Sequence, residues 1–445
     1  MKRILGIQTQ TMRELFVIAM PMVVSQGAFA VMMFTDRLFV SQISPTHIAA
    51  ALGGGVAAFF TLSLFMGVIS YANALVAQYF GAEQLEKCPK VLTQGMILVV
   101  LATPILFVTS FFVSKLFVAM GHAPEQAALE RAYYQVLMWG SAISLAKAGV
   151  ASYFAGIGRT KVVMVADVTG LVLNIPLSWV LIFGKFGVPE LGLVGAGIGT
   201  IIATVFTLML YAYFYFQAEH RSTFKVADSF VFDRKIIRRY LRLGFPSGLE
   251  LFLNVAAFNL FLLMFQSYGV VAGASAAIVF NWDMMSFVPM IGLNIGIISL
   301  IGRYVGANDM SKTGEVIRAA FLLALSYAGV LAVVFVVYRE SLVDVFLSTG
   351  GNHEAIHELA SHMMLGLSSY VMADAIILVS GGVLRGAGDT RWLMLASVSL
   401  HWAMLIAQFV VIKVLELGPR TAWMIFVTML LSIAVVYFLR LTGGR

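Results

Sequence analysis

Long apolar runs separated by short polar breaks recur along the whole chain. Twelve of them lie near 15–40, 47–70, 93–118, 132–156, 161–184, 193–217, 241–268, 276–301, 317–338, 357–381, 391–413 and 422–440. Each approaches or exceeds the roughly 20 residues that an α-helix needs to cross the hydrocarbon of a bilayer. The weakest break falls between 241–268 and 276–301, where no charge intervenes and only Gly269, Gly273 and a few small residues mark a turn. The pattern predicts an all-α polytopic membrane protein with twelve transmembrane helices.

Composition supports lipid as the solvent. Of 445 residues, 60% are apolar and only 11% are charged, against roughly 25% charged in soluble domains. The first run ends in Thr35-Asp36-Arg37, with no small-residue cleavage site, so it reads as the first membrane helix and not as a signal peptide. The single cysteine, Cys88, excludes an intrachain disulfide and a cysteine metal cluster.

The positive charges set an orientation. Of the 29 Lys and Arg residues, 21 fall on the side that carries the N terminus and 6 on the other, while Arg37 and Lys147 lie within apolar runs. The positive-inside rule then places both termini in the cytoplasm, which demands an even number of spans. The same scatter argues against a nucleic-acid partner, because the net charge of +7 forms no compact basic domain.

The two halves repeat. At an offset of 225 residues, Pro21 matches Pro246, Gly67 matches Gly292, and Gln78-Tyr79-Phe80-Gly81-Ala82 matches Arg303-Tyr304-Val305-Gly306-Ala307. At an offset of 230, Gly156-Ile157-Gly158-Arg159-Thr160-Lys161 matches Gly386-Ala387-Gly388-Asp389-Thr390-Arg391. Six spans per half make these parallel repeats, related by an axis along the membrane normal and able to enclose a cavity. The expected lobes are residues 1–220 and 221–445, divided by the basic connection from Gln217 to Arg242. The repeated glycines sit at helix ends, where tight reversals and C-caps are their ordinary use.

Five acids interrupt the apolar runs: Asp36, Asp167, Glu250, Asp283 and Asp374. A charge at the centre of a membrane helix costs roughly 2.5–3.5 kcal/mol even on lenient scales, so each needs a partner, a proton or a wet cavity. Glu250 follows Pro246 by one turn, near mid-membrane, and Asp374 lies equally deep among small neighbours. Both read as ion-site candidates, with a structural acid bonded to a neighbouring helix as the plain alternative. Asp36, toward the outer end of the first helix, reads either as a coupling residue or as a local pair with Arg37. Asp167 is expected to pair with Arg159 or Lys161. Asn174, on the same helical face as Asp167, and Asp283, near the outer end of the eighth helix, are candidates for lining a cavity. Lys147 needs an acid or water that the sequence does not name. The deepest acids, Glu250 and Asp374, both belong to the second half.

Other chemistries lack a signature. No Walker motif accompanies the chain, Gly156-x-Gly158 has no strand–helix context, and no channel filter is visible. His353, His357 and His362 crowd an outer loop and helix end at a spacing that makes a weak metal site. An enzyme is not expected, nor any bound cofactor. The many Phe, Tyr and Met residues are mainly lipid-facing or packing groups, and some of them suit a cavity that accepts varied apolar shapes.

Taken in order, these motifs resemble the multidrug and toxic compound extrusion (MATE) transporters, in particular the bacterial NorM-like branch. The stretches that carry the resemblance are Met20-Pro21 with Gln26, Thr35-Asp36, Val76–Ala82, Gly156–Thr160 and Asn174-Ile175-Pro176-Leu177. In the second half they are Pro246 to Glu250, Ile301–Ala307 and Leu384–Thr390. The resemblance covers nearly the whole chain. It implies two pseudo-symmetric six-helix bundles around a cleft in the cell (inner) membrane, acting as a monomer. It implies export of small organic cations and amphipathic drugs in exchange for Na⁺ or H⁺. By the same resemblance, Glu250 and Asp374 would hold the coupling cation as Na⁺ ligands, with Asp36 in coupling and Asn174, Asp283 and Gln26 lining the substrate cavity. Proton-coupled relatives carry an Asp in the fifth helix where this chain has Asn174, which favours Na⁺ and leaves H⁺ as the alternative. A lipid-linked precursor flippase of related architecture would want a strongly cationic lumen, and only Arg37 and Lys147 lie within the spans. A major facilitator lacks its usual loop signature here, and a membrane scaffold needs no deep acids.

Overall fold

The computed structural model describes residues 3–4, 7–119, 123–347 and 353–443. Lys2 and Arg445, counted in the charge bias, lie outside the described residues. Eleven helices among the described residues are long and apolar enough to cross a membrane. In the first half these are α1 (Thr9–Ser41), α2 (Pro45–Ser70) running on into α3 (Ala72–Gly81), and α4 (Lys87–Ala119). The fourth crossing is built from two 16-residue helices, α5 (Pro124–Trp139) and α6 (Ser141–Gly156), each too short by itself. Hydrogen bonds from Gly140 to Val136 and from Ser144 to Gly140 keep the ladder continuous across the joint, so α5 and α6 act as one interrupted span. That span completes twelve. α7 (Thr160–Phe183) and α8 (Gly192–Tyr215) end the first half.

A short helix, α9 (Ala218–Phe224), leads into the second half. There α10 (Arg234–Gln266), α11 (Val270–Gly306) and α12 (Met310–Val337) precede a short α13 (Arg339–Asp344), and α14 (His353–Ala387), α15 (Thr390–Phe409) and α16 (Pro419–Thr442) complete the chain. The uncharged break between α10 and α11 turns at Gly269, whose φ of 106° suits only glycine. Gly273, the other residue expected there, lies inside α11. The stretch Gln78–Ala82, expected after the second span, mostly belongs to the last turn of α3.

The sequence repeat reappears as reciprocal packing. A Cβ on Gly67 would sit 2.6 Å from the Gly248 Cα, and one on Gly292 would sit 2.5 Å from the Val23 Cα. Adding 225 to Gly67 and Val23 gives Gly292 and Gly248, so the two contacts are one contact seen from each half. Gly81 and Gly306 repeat the relation, each abutting backbone of the other's motif, at Arg303 and Gln78 respectively. Pairs in which i meets j and j meets i are the mark of a two-fold relation. Small residues let membrane helices approach backbone to backbone, where dispersion replaces the missing hydrophobic drive.

Polar groups clasp the same end, the one that carries the N terminus. Gln78 Nε2 donates to the Gly386 carbonyl at 2.8 Å, and Arg303 Nη2 donates to the Ile157 carbonyl at 3.4 Å. Arg239 Nη2 donates to Gln78 Oε1 at 2.7 Å, while Arg303 pairs with Glu14 at 3.5 Å. Glu14 and Arg239 are again 225 apart.

The connection between the halves is packed rather than loose. His220 is fully buried, with its Nε2 3.0 Å from the Tyr153 hydroxyl and the Phe224 ring centroid 4.6 Å away. Gln94 of α4 holds the Val231 carbonyl and the Asp233 amide. Burial, aided by the nearby Arg159 charge, pushes His220 down from 6.5 to about 4.

Two outcomes follow. Gly81→Val should keep this end from closing, because a branched side chain would overlap Arg303 backbone that has nowhere to move. Disulfide formation between Thr11→Cys and Glu315→Cys, whose native side chains hydrogen-bond at 3.0 Å, should fall several-fold in that background; unchanged cross-linking would refute the reading. His220 binds its proton less readily folded than unfolded, so its contribution is intact above pH 6.5 and is lost as pH falls toward 4. The thermal midpoint should therefore drop more between pH 7 and pH 5 in the native chain than in His220→Phe.

Candidate functional site

The helices bring the buried acids into separate clusters, two in each half. In the second half, Glu250 is 3% exposed on α10, and its Oε1 accepts from Arg385 Nη2 at 2.8 Å. Arg385 stands in the last turn of α14, eleven residues beyond Asp374. Eleven residues make about three turns, so the two share a helical face. Nearby, Asn254 Nδ2 donates to Ser397 Oγ at 2.8 Å. Glu250 Oε2 and Asn254 Oδ1 are buried without a hydrogen-bond partner.

The other cluster of this half is anionic. Asp374 on α14 and Asp283 on α11 lie close enough to interact through their charges, and Tyr370 feels both. Asp283 Oδ1 and the Tyr370 hydroxyl are buried and unpartnered. Sequence reading put Asp283 near the outer end of its helix. α11 begins at Val270, however, so Asp283 lies about 20 Å along it at 1.5 Å per residue. No basic side chain lies within ion-pair distance of either carboxylate among the described residues.

In the first half, Asp36 Oδ2 accepts from Thr200 Oγ1 at 3.0 Å. The local pair with Arg37 does not form, since the carboxylate turns into the bundle while Arg37 is exposed. Asn174 Nδ2 lies 3.4 Å from the same Thr200 hydroxyl. Asp36 Oδ1, Asn174 Oδ1 and Ser178 Oγ are buried without a partner. Nearer the clasped end, Asp167 pairs with Lys147 at 3.0 Å and not with Arg159 or Lys161. Ser25 donates a short hydrogen bond to Asp167 Oδ2, and the Tyr211 hydroxyl donates to Oδ1 at 3.3 Å. The helix turns Asp167 inward to Lys147 of α6, while Arg159 and Lys161 stand at the start of α7. Gln26 is half-buried on α1 and joins neither cluster among the described residues.

Sequence reasoning therefore found the acids of these four clusters but only part of the company each keeps, and it missed Glu130, buried on α5 with Gln126 donating to it at 2.9 Å. Arg385 was visible in the Leu384-Arg385-Gly386 motif, and its helical register with Asp374 was the available signal. Thr200, Ser178 and Tyr370 are common residue types in apolar helices and carried none. The outer histidines gather no metal set: His357 pairs with Asp344 at 3.4 Å, and no group of three or more potential ligands occurs among the described residues.

Comparison with known proteins follows the same architecture. The MatE family model matches residues 21–180 and 246–407, one stretch in each half. The multidrug resistance protein MdtK of Yersinia enterocolitica is 27% identical over 440 residues, covering 96% of this chain and 94% of that protein. The MdtK protein of Edwardsiella ictaluri is 26% identical over 439 residues, with the same coverage. Among solved structures, a MOP superfamily transporter from Pyrococcus furiosus superposes with a TM-score of 0.88 at 20% identity, over 96% of this chain and 94% of that one. An outward-facing multidrug resistance MATE family transporter gives 0.87 at 20% identity over the same shares. These structures share the fold.

Arg385→Ala should strand the Glu250 carboxylate in a buried site, and breaking such a pair costs about 3 kcal/mol or more. The double variant Glu250→Gln with Arg385→Ala should recover part of the lost thermal stability. Equal losses in the single and double variants would show that the pair carries no coupling.

Proposed function

This chain belongs to the MatE family, and from that premise we propose that it is a secondary multidrug exporter, driving amphipathic organic cations out of the cell by antiport with Na⁺. The observation that carries the reading is the Asp283–Asp374 cluster, where buried Asp374 and half-buried Asp283 interact through their charges with no basic partner within ion-pair distance among the described residues. Such a site demands a cation. Glu250 differs, because Arg385 already balances its charge and leaves only one oxygen free. In this reading Asp374 is the principal ion-binding carboxylate and Asp283 its second, while Glu250, balanced by Arg385 in the neighbouring cluster, stays outside the ion site. Unpartnered oxygens at Asp283 and Tyr370 suit a hard cation such as Na⁺.

The names of the MdtK relatives supply the substrate class. The charge bias supports the orientation: with 21 of 29 basic residues on the N-terminal side, the clasped end faces the cytoplasm in this reading. Antiport then needs Na⁺ and substrate to favour opposite states or to compete. Sodium taken up at Asp374 in the outward state would release the organic cation, and loss of sodium to the cytoplasm would reopen the inner end. Asp36, Asn174 and Gln26 belong to the substrate side of the same scheme, in the first half. The protein works as a monomer in the cell (inner) membrane.

Purified protein in liposomes loaded with ²²Na⁺ should show sodium efflux stimulated by an external organic cation. Asp374→Asn should abolish the stimulation and Asp283→Asn should reduce it at least tenfold. Stimulation that survives both changes, or a flux that follows a pH gradient and ignores sodium, would sink the sodium site.

A further inference from the structure

The Lys147–Asp167 pair has no part in the scheme above, and its surroundings are unusual for a structural ion pair. It lines a recess of about 20 Å³ walled by Phe29, Met32 and Leu171, with Thr204 and Thr207 on the remaining side. That is room for about one water-sized polar group. The two side chains keep 25% and 12% of their surface exposed, so the pair is reachable.

The hydrogen bonding is asymmetric. Asp167 takes donors from Ser25, Tyr211 and Lys147, which satisfies most of its acceptor capacity. Lys147 has three N–H donors, and Asp167 is its one partner among the described residues. Thr204 and Thr207 spend their own hydroxyl protons on the carbonyls of Thr200 and Ala203. The ammonium is thus the free donor of the recess. Because Ser25 and Tyr211 hold the Asp167 charge, Lys147 is able to serve a second anion without stranding its first. Packed apolar residues often serve stability as well as a buried ion pair does, so stability alone is a weak reason for this pair.

We propose that Lys147 is a carboxylate-recognition point in the first-half cavity, and that it extends the substrate range from simple cations to amphiphiles that carry both an amine and a carboxylate. A carboxylate oxygen enters the recess and takes the spare N–H bonds of Lys147. The apolar body rests outside against Phe29, Met32 and Leu171. This inference rests on the export reading of the preceding section and adds a residue that discriminates among substrates.

The test uses rhodamine 110 and its methyl ester, rhodamine 123, which differ in whether the carboxylate is free. Fluorescence anisotropy with the purified full-length protein gives a dissociation constant for each. In the native chain both dyes should bind. In Lys147→Gln the ratio of the rhodamine 110 constant to the rhodamine 123 constant should rise about tenfold, and Lys147→Arg should restore most of it. The double variant Lys147→Gln with Asp167→Asn, which leaves no unpaired charge, should show the same raised ratio and guards against misfolding. An unchanged ratio in both variants, or a native chain that binds rhodamine 123 and not rhodamine 110, would overturn the proposal. Failure to bind either dye would overturn the export reading as well.

Discussion

Backbone-to-backbone contact between the two halves is the constraint on which the rest of the structure depends. Gly67 against Gly248 and Gly292 against Val23 form one pair of such contacts, and Gly81 and Gly306 form the next. Each needs the absence of a side chain, and each is duplicated by the repeat. Lipid offers apolar side chains as good an environment as protein does, so burial alone would not hold the halves together. Close contact and the hydrogen bonds around Gln78 and Arg303 do so instead, and they are confined to one end. A joint made at one end is one that a rocking motion is able to open.

The repeat is geometric and not chemical. Positions related by 225 residues keep their glycines where backbone meets backbone, while their functional side chains diverge. Gln78 corresponds to Arg303 and Glu14 to Arg239, so the clasp is preserved with its charges redistributed. Inside the halves the divergence is larger. Ser25 occupies the position equivalent to Glu250, and it serves as a donor to Asp167 where Glu250 is an acceptor for Arg385. Each half thus holds one balanced pair, Lys147–Asp167 and Arg385–Glu250, while the remaining acid stands among hydroxyls in the first half and beside a second carboxylate in the other.

In the proposed scheme that difference divides the work. The cluster with surplus negative charge suits a small cation, and the recess beside the neutralised pair admits a single polar group against apolar walls. Both clusters hang from helices that also take part in the glycine contacts: α1 carries Ser25, which donates to Asp167, and meets α11, which carries Asp283.

Twelve spans, the repeat and the five acids within the apolar runs were legible in the chain itself, because hydrophobic length, charge and motif spacing are one-dimensional properties; Glu130, buried on α5 just before the predicted fourth run, was not. Membrane helices must satisfy their own backbones, so a long apolar run has a single structural outcome. The fourth span starts earlier than its apolar run, because the first half of α5 carries Glu125, Glu130 and Arg131, and the joint at Gly140 keeps its hydrogen bonds and leaves no polar trace. Partners were a different matter. Asp36 turns to Thr200 and not to its neighbour Arg37, Asp167 meets Lys147, and Glu250 meets Arg385, each across tens or hundreds of residues. Which helix faces which is decided by the rotation and tilt that small-residue packing imposes. Only the tertiary structure could decide it, because a run of apolar residues carries almost no record of the face it will turn toward its neighbour.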